Sequence, residues 1–213
     1  MSQTTVGRLY DTCVQSYGRH TALKYHGRAH TYAELGSNAA RLANALHNLG
    51  LRKGDRVAFL MANCPEYIFT EYALAKIGGI RVPLAVMLNS DDHIYMMNHS
   101  EAVALVYHEK LTGRVQAMMP HLETIQHFIC VSEDAANVPD GHHHLQEMMA
   151  NAEPVLPPVE VTPQDLCGIY YTGGTTGRPK GVMLSHRTWV NAVMLEMLEL
   201  SLGRDEVFAY MTP

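Results

Sequence analysis

Short apolar runs alternate along the chain with longer segments in which apolar residues recur at helical spacing. The run 57–61 is apolar throughout, which is typical of a strand that is buried on both faces of a sheet. Further apolar runs predict strands at 82–84, 102–107, 125–131, 166–171 and 182–184. Because strands and helices alternate, the sequence predicts an α/β fold with a mostly parallel sheet and helices on both faces.

Two of the intervening helices have clear signals at their ends. Thr31 and Glu34 can form a capping box before a series of leucines at helical spacing, and Gly50 follows the last of these leucines. Pro65 favours the first turn of the next helix, which the glycine pair 78–79 should end. Shorter helices are expected at 91–98 and 111–119.

The C-terminal part of the chain predicts packing partners that the sequence does not contain. After Ser185 a helix is expected through Leu200, and it is apolar nearly all the way round, so it should have neighbours on several sides. The run 207–211 predicts a buried strand, after which the chain stops at Pro213. We therefore expect the chain to be an N-terminal piece of a longer protein.

Composition divides the chain into three expected parts. Residues 1–131 form an N-terminal α/β subdomain, and residues 164–213 contain a glycine-rich loop and begin a further α/β portion. Residues 132–163 predict an irregular connector, because prolines interrupt them repeatedly and only one short helix, near 145–149, is indicated. The adjacent histidines 142–144 would point in different directions there, so a solvated loop is favoured over a metal site.

The most informative segment, residues 170–181, reads Tyr-Tyr-Thr-Gly-Gly-Thr-Thr-Gly-Arg-Pro-Lys-Gly. Its glycines let successive backbone N–H groups point into one concavity, and its threonine hydroxyls add donors or a metal ligand. Lys180 adds a positive charge on a flexible stem. Since apolar runs flank the segment, we expect a strand–loop–strand unit that cradles a polyphosphate; a flexible surface hairpin is the alternative.

Two better-known phosphate motifs do not fit this segment. A Walker A loop needs its lysine directly after the last glycine, but Arg178 and Pro179 separate Gly177 from Lys180. The dinucleotide fingerprint fails because Thr172 stands at the position of its first glycine. We predict phosphate contacts from Thr172, Gly173, Gly174, Thr175, Thr176, Gly177 and Lys180.

Two side chains near the loop have competing interpretations. Lys180 is the predicted catalytic residue, which would stabilise charge on transferring phosphates; the alternative is a solvated surface lysine. His186 follows the second flanking strand and could orient loop groups. The favoured interpretation is structural: His186 lies beside Ser185 at the start of a helix, with its ring nitrogens hydrogen-bonded.

At these residues the segment resembles the phosphate-binding motif of the adenylate-forming superfamily, which includes acyl-CoA synthetases, luciferase-like enzymes and peptide-synthetase adenylation domains. Thr31-Tyr32-Ala33-Glu34-Leu35 is similar to an early segment of that family, and residues 74–84 are similar to a second one. Gly173 stands where many relatives carry serine, and glycine there is similar to the loop of long-chain fatty acyl-CoA synthetases.

The resemblance implies an ATP-dependent acid–thiol ligase and the large N-terminal domain of such an enzyme. In that chemistry a carboxylate attacks the α-phosphorus of ATP, and coenzyme A then displaces AMP from the acyl-adenylate. By analogy with the family motif, Thr175 would contact Mg²⁺, and the acid would be a carboxylic acid, most like a fatty acid. The family's proteins are longer, so the chain alone is expected to be inactive; alternatives are an isolated nucleotide-binding module, a peptide-synthetase domain or a luciferase-like enzyme.

Composition adds limits to the choice of partners. The chain has 213 residues and a formal net charge of −5 with no long basic run, so no nucleic-acid partner is expected. No apolar stretch approaches the roughly 18 residues of a membrane span, and the N-terminus carries no secretory pattern. The four cysteines match no zinc or redox spacing, which favours reduced, mostly buried thiols in a cytoplasmic protein. The oligomeric state is not indicated.

Overall fold

The computed structural model describes residues 4–172, 178–201, 203 and 206–209. Its strands are β1 (Thr21–Tyr25), β2 (Arg28–Thr31), β3 (Arg56–Leu60), β4 (Ile80–Pro83), β5 (Ala102–His108), β6 (His127–Val131), β7 (His143–His144), β8 (Leu166–Thr172) and β9 (Lys180–Ser185). Its α-helices are α1 (Val6–Tyr17), α2 (Tyr32–Leu49), α3 (Pro65–Ile77), α4 (Ser90–His99), α5 (Thr112–Met118), α6 (Leu145–Ala150) and α7 (His186–Glu199).

Strands β3 to β9 form one sheet in the order β7-β6-β5-β3-β4-β8-β9. Neighbouring strands in this sheet run parallel, except that β8 and β9 are antiparallel. Strands β1 and β2 form a separate antiparallel hairpin. The predicted α/β fold with a mostly parallel sheet is therefore confirmed, with small shifts at the strand ends.

Helices cover both faces of the sheet and enclose a core on each face. In β3, Val57 and Phe59 pack into a core with residues of α2 and α3. Ala58 and Leu60 point the other way and pack with Met97 of α4. This division follows from the strand geometry, in which successive side chains point to opposite faces. Full burial of a large apolar side chain contributes about 1.5–3 kcal/mol, so both cores stabilise the sheet.

The predicted helix signals operate as expected in α2 and α3. Thr31 Oγ1 accepts a hydrogen bond from the Glu34 N–H at 3.2 Å, while Glu34 Oε2 accepts one from the Thr31 N–H at 2.6 Å. Gly50 ends α2 in the left-handed region with φ 112°, and Gly78 ends α3 in the same way with φ 70°. Pro65 occupies the first turn of α3. Local sequence chemistry therefore fixes the limits of both helices.

The connector 132–163 contains the predicted short helix, α6, but the prediction of a solvated loop at the three histidines is wrong. His143 and His144 form β7 and pair with β6 at the edge of the sheet. His142 Nδ1 lies 2.6 Å from the Tyr107 hydroxyl, and His144 Nε2 lies 2.9 Å from the Ser132 carbonyl. Hydrogen bonds hold the rings of His142 and His144, and strand pairing holds the backbone of His143 and His144; sequence spacing alone reveals neither.

The C-terminal helix α7 exposes much of its apolar surface. Leu195 and Leu198 are 61% and 76% exposed, although the sequence predicted neighbours on several sides of this helix. The predicted strand 207–211 is not formed over its described residues, and Val207 is 92% exposed. The packing partners expected for these residues are thus not among the described ones. Within the same residues, no helix combines the length and apolar character needed to cross a bilayer.

Candidate functional site

The two flanks of the predicted phosphate-binding segment are adjacent antiparallel strands. Strands β8 and β9 pair from Leu166 opposite Ser185 to Thr172 opposite Lys180, which confirms the strand–loop–strand prediction. We call residues 173–179 the β8–β9 loop. The predicted contacts Gly173, Gly174, Thr175, Thr176 and Gly177 lie outside the described residues, and their roles stay predictions.

Thr172 and Lys180 are the predicted site residues that the structure describes. They lie directly opposite each other at the end of the hairpin ladder, and opposed residues of an antiparallel pair point to the same face. Both residues are exposed, and Thr172 Oγ1 lies 3.5 Å from the Lys180 carbonyl oxygen. Among the described residues no ion pair engages the Lys180 ammonium. A hydroxyl and an ammonium on one face suit an anionic ligand.

The hairpin end lies where ligands commonly bind in open α/β sheets. Strand β8 runs parallel to β4, so Thr172 lies at the carboxyl edge of the parallel strands. A cavity of about 180 Å³ adjoins this edge. Its lining includes Met61 after β3, Leu84 after β4, and Tyr170 and Tyr171 of β8. The β8–β9 loop therefore begins beside a largely apolar hollow at the same edge.

On one face of the sheet, Tyr170 joins a buried polar cluster. Its hydroxyl accepts hydrogen bonds from Arg81 Nε and from Trp189 Nε1, the latter at 3.1 Å. Arg81 is 2% exposed, pairs with the Glu71 carboxylate, and lies 4.7 Å from the Trp189 ring centroid. Burial is the largest single influence and would lower the pKa of Arg81, but the Glu71 carboxylate, Tyr170 and Cys167 together outweigh it and the pKa is raised. The cluster therefore fixes β8 against β4, α3 and α7 through a paired, fully charged guanidinium.

On the opposite face, Tyr171 contacts helix α4. Its hydroxyl donates to the Met96 carbonyl at 3.2 Å and lies 2.8 Å from His99 Nδ1. Burial raises the pKa of the Tyr171 hydroxyl, which keeps it protonated and able to donate. On the other side of residues 173–177 in the sequence, the Arg178 guanidinium lies 5.0 Å from the centroid of the Tyr95 ring, which is also on α4. One helix thus contacts both Tyr171, near the end of β8, and Arg178, near the start of β9.

His186 begins α7, and the structure supports the structural interpretation of this histidine. The residue is fully buried, its Nδ1 accepts a hydrogen bond from the Val6 N–H at 3.3 Å, and Ser185 caps the helix. Burial, followed by the charge of Arg81, lowers the pKa of His186 to about 4. The ring is therefore neutral at pH 7 and connects α7 to the start of α1.

Sequence reasoning did not identify the side chains that hold the hairpin. Arg81, Tyr95, His99 and Trp189 come from other elements, and no local motif marks them. The available signal was the pair of adjacent tyrosines before the loop, because neighbouring strand residues point to opposite faces. Among the described residues, no group of three His, Cys, Asp or Glu side chains is arranged to hold a metal ion.

The fold and the hairpin define a class, the N-terminal domain of adenylate-forming enzymes. The chain matches the AMP-binding enzyme family over residues 10–213, and it belongs to that family. It is 32% identical to the crotonobetaine/carnitine–CoA ligase of Salmonella typhimurium (strain LT2) over 213 residues, covering 97% of this chain and 41% of the relative. The chain thus spans about two fifths of the length of the curated relatives it matches.

Solved structures agree on the fold. A long-chain-fatty-acid-CoA ligase (FadD1) from Archaeoglobus fulgidus superposes with a TM-score of 0.86 at 25% identity, covering 97% of this chain and 42% of that one. The anthranilate CoA ligase AuaEII, solved with anthranoyl-AMP, gives a TM-score of 0.85 at 22% identity, covering 91% of this chain and 37% of that one. The second likeness concerns the fold alone.

Proposed function

We propose that the chain is the N-terminal part of an ATP-dependent acid–thiol ligase. In the reaction, a carboxylate would attack the α-phosphorus of ATP to give an acyl-adenylate and pyrophosphate, and the thiol of coenzyme A would then take the acyl group and release AMP. The observation that carries the proposal is the hairpin of β8 and β9, which presents Thr172 and Lys180 on one face at the carboxyl edge of the sheet. Membership of the AMP-binding enzyme family supports it.

The chemistry of the first step explains why this site needs donors rather than a general base. A carboxylic acid with a pKa near ~4–5 is already ionised at pH 7. The enzyme must instead hold two repelling anions in line and stabilise the leaving pyrophosphate. The Lys180 ammonium, the Thr172 hydroxyl and the backbone N–H groups of the glycine-rich loop are suited to that task.

The residues of the loop also fit a magnesium ion. The chain offers threonine hydroxyls close in sequence to Lys180 at the hairpin end, and hydroxyl oxygen is a ligand type that Mg²⁺ accepts beside phosphate oxygens. We assign Thr175 as the protein ligand by analogy with the family. The bound ion would neutralise charge on the phosphates.

Substrate class and location complete the proposal. Gly173 resembles the loop of fatty acyl-CoA synthetases, and relatives named as long-chain-fatty-acid-CoA ligases share the fold, so we propose a fatty or related carboxylic acid. Cys64, Cys130 and Cys167 are buried free thiols, and Cys13 is half-buried and also free. Unpaired cysteines are typical of a reducing compartment, so we propose the cytoplasm.

The test is acid-dependent exchange of labelled pyrophosphate into ATP by the complete protein. A K180Q variant should lose about 10²–10³-fold in exchange rate, since one well-aimed donor typically contributes this much. The matched control is K24Q, which removes an exposed lysine on β1 of the hairpin β1–β2. If the wild type exchanges pyrophosphate into ATP at the same rate with and without the acid, the reaction belongs to another class. The same holds if it hydrolyses ATP but shows no pyrophosphate exchange.

A second measurement concerns the 213-residue chain by itself. We expect it to form no acyl-CoA, because the adenine pocket and acyl pocket of the family are expected outside its residues. Detectable acyl-CoA formation by the purified chain would contradict this part of the proposal.

A T175A variant of the complete protein should need a higher Mg²⁺ concentration for half-maximal pyrophosphate exchange, whereas T175S should stay close to the wild type.

A further inference from the structure

We propose that helix α4 holds the end of β8 that leads into the β8–β9 loop and also Arg178 on the far side of the loop, and that Tyr95, Tyr171 and Arg178 are positioning residues for ATP binding. The inference rests on the proposed function for its catalytic consequence. It rests on described contacts for its structural content. No side chain of α4 needs to touch the nucleotide.

The first contact fixes the residue that precedes Thr172. The Tyr171 hydroxyl donates to the Met96 carbonyl at 3.2 Å and lies 2.8 Å from His99 Nδ1. Its ring meets the His99 ring edge-on, with centroids 5.9 Å apart. These contacts constrain the end of β8, from which the loop starts, in both distance and orientation.

The second contact fixes the outgoing end of the loop. The Arg178 guanidinium lies 5.0 Å from the Tyr95 ring centroid, within the range of a cation–π interaction. Tyr95 in turn stacks on His99 with centroids 5.2 Å apart. Asp91 and Glu123 line the same hollow as Arg178, so the local charge also favours a cation on this side. Tyr171 and Arg178 therefore contact one continuous cluster of rings on α4.

Helix α4 is itself held firmly enough to act as a support. Asn89 caps its N-terminus by accepting from the Asp92 N–H at 2.8 Å. Met96 and Met97 are buried in the core against the sheet. His93 is fully buried, with Nε2 2.9 Å from the Ala85 carbonyl. A binding loop is best positioned by a rigid element, and α4 meets that condition.

The magnitude follows from the exposure of the Arg178 contact. Arg178 is exposed, and an exposed cation–π pair contributes about 0.5–1 kcal/mol, which corresponds to about 2–5-fold in an equilibrium constant. We therefore expect R178A and Y95L each to raise KM for ATP about 2–5-fold. The value of kcat and KM for the acid should stay near the wild type, because the acid does not depend on this contact. Y171F should raise KM for ATP by at least a similar factor, since it removes the hydroxyl contacts to Met96 and His99.

A double-mutant cycle separates positioning from direct contact with ATP. If Arg178 acts through Tyr95, the KM for ATP of the double variant R178A/Y95L should equal that of either single variant. The KM for ATP of Y95F should equal that of the wild type, because phenylalanine keeps the ring face. If Arg178 contacts ATP directly, R178A should raise KM for ATP more than Y95L does, and the two increases should add in free energy. That result would overturn the proposal. R28A on exposed β2 is the control for loss of a surface arginine.

A readout independent of catalysis is hydrogen exchange of the peptide that spans β8 and β9, measured without nucleotide. We expect faster exchange there in R178A, Y95L and Y171F, and wild-type exchange in Y95F. Wild-type exchange in all four variants would refute the proposal, whatever the kinetics show. A further outcome is that hydrogen exchange responds as expected while the wild type shows no acid-dependent exchange of pyrophosphate into ATP. In that case the proposed function fails, but α4 still holds the loop.

Discussion

Replacing His186 with asparagine should make the stability of the chain less sensitive to acid. His186 is fully buried at the start of α7, and its Nδ1 accepts from the Val6 N–H. The asparagine Oδ1 occupies nearly the position of the histidine Nδ1, so H186N can keep the hydrogen bond while removing the titration. The variant therefore isolates the protonation of this ring from the contact that it makes.

The size of the effect follows from the pKa of His186, which is lowered from 6.5 to about 4. At a pH between these two values the unfolded chain binds a proton that the folded chain excludes, so stability falls as the pH falls. The contribution is fully present above about pH 6.5 and is lost by about pH 4. Its total is about 3 kcal/mol, of which about 2 kcal/mol is lost at pH 5.

The assay is urea unfolding of the 213-residue chain at pH 7.5, 6 and 5. Trp189 is the single tryptophan of the chain, so its fluorescence reports unfolding beside His186, and circular dichroism should give the same midpoints if unfolding is two-state. Between pH 7.5 and 5, H186N should lose about 2 kcal/mol less than the wild type.

Comparing H186N with the wild type cancels the pH dependence of stability that comes from the other titrating groups, because both chains contain them. Burial also lowers the pKa of His93, His127 and His142, and these rings contribute a pH dependence of the same sign to both chains. The control is H26N in the turn between β1 and β2, where the ring is exposed and should be solvated in both states. If H186N and the wild type lose equal stability on acidification, His186 is not held neutral by burial and the reasoning is wrong.

Three further outcomes are expected of the same chain. R81M should destabilise it by roughly 3–5 kcal/mol in urea unfolding because Glu71 loses its buried partner, and E71M/R81M should recover part of this loss. L42A should cost about 2–5 kcal/mol because Leu42 is fully buried, whereas L195A, at an exposed position, should stay within about 0.5 kcal/mol. In thiol titration with a disulfide reagent, Cys13 should react first and the buried cysteines only after unfolding.

The sequence predicted those parts of the fold that depend on local chemistry. The capping box of Thr31 and Glu34 and the terminal Gly50 mark α2, because each acts on its own helix end. Helix α1 and the hairpin β1–β2 were not predicted, since polar residues interrupt their apolar positions and the hairpin strands are half exposed. Strand β7 was missed because two residues carry no periodicity and pair only once β6 is in place.

The site divides in the same way. Glycines, threonines and Lys180 within one short segment predicted a strand–loop–strand unit, and the pairing of β8 with β9 agrees. The supports of that unit are not local, because Tyr171 bonds to Met96, 75 residues earlier, and Tyr170 to Arg81, 89 residues earlier. Contacts at such separations depend on how the elements pack, which no spacing rule expresses.

Adjacent tyrosines before the loop have different functions because a strand alternates its side chains. Tyr170 points to the buried cluster of Arg81 and Trp189, and Tyr171 points to α4. The last residues of β8 are therefore held from both faces of the sheet. Binding a polyphosphate through backbone donors is favourable only if few residues must be ordered on binding. Folding itself orders the strand end through these two hydroxyls, which reduces the ordering that the ligand must impose.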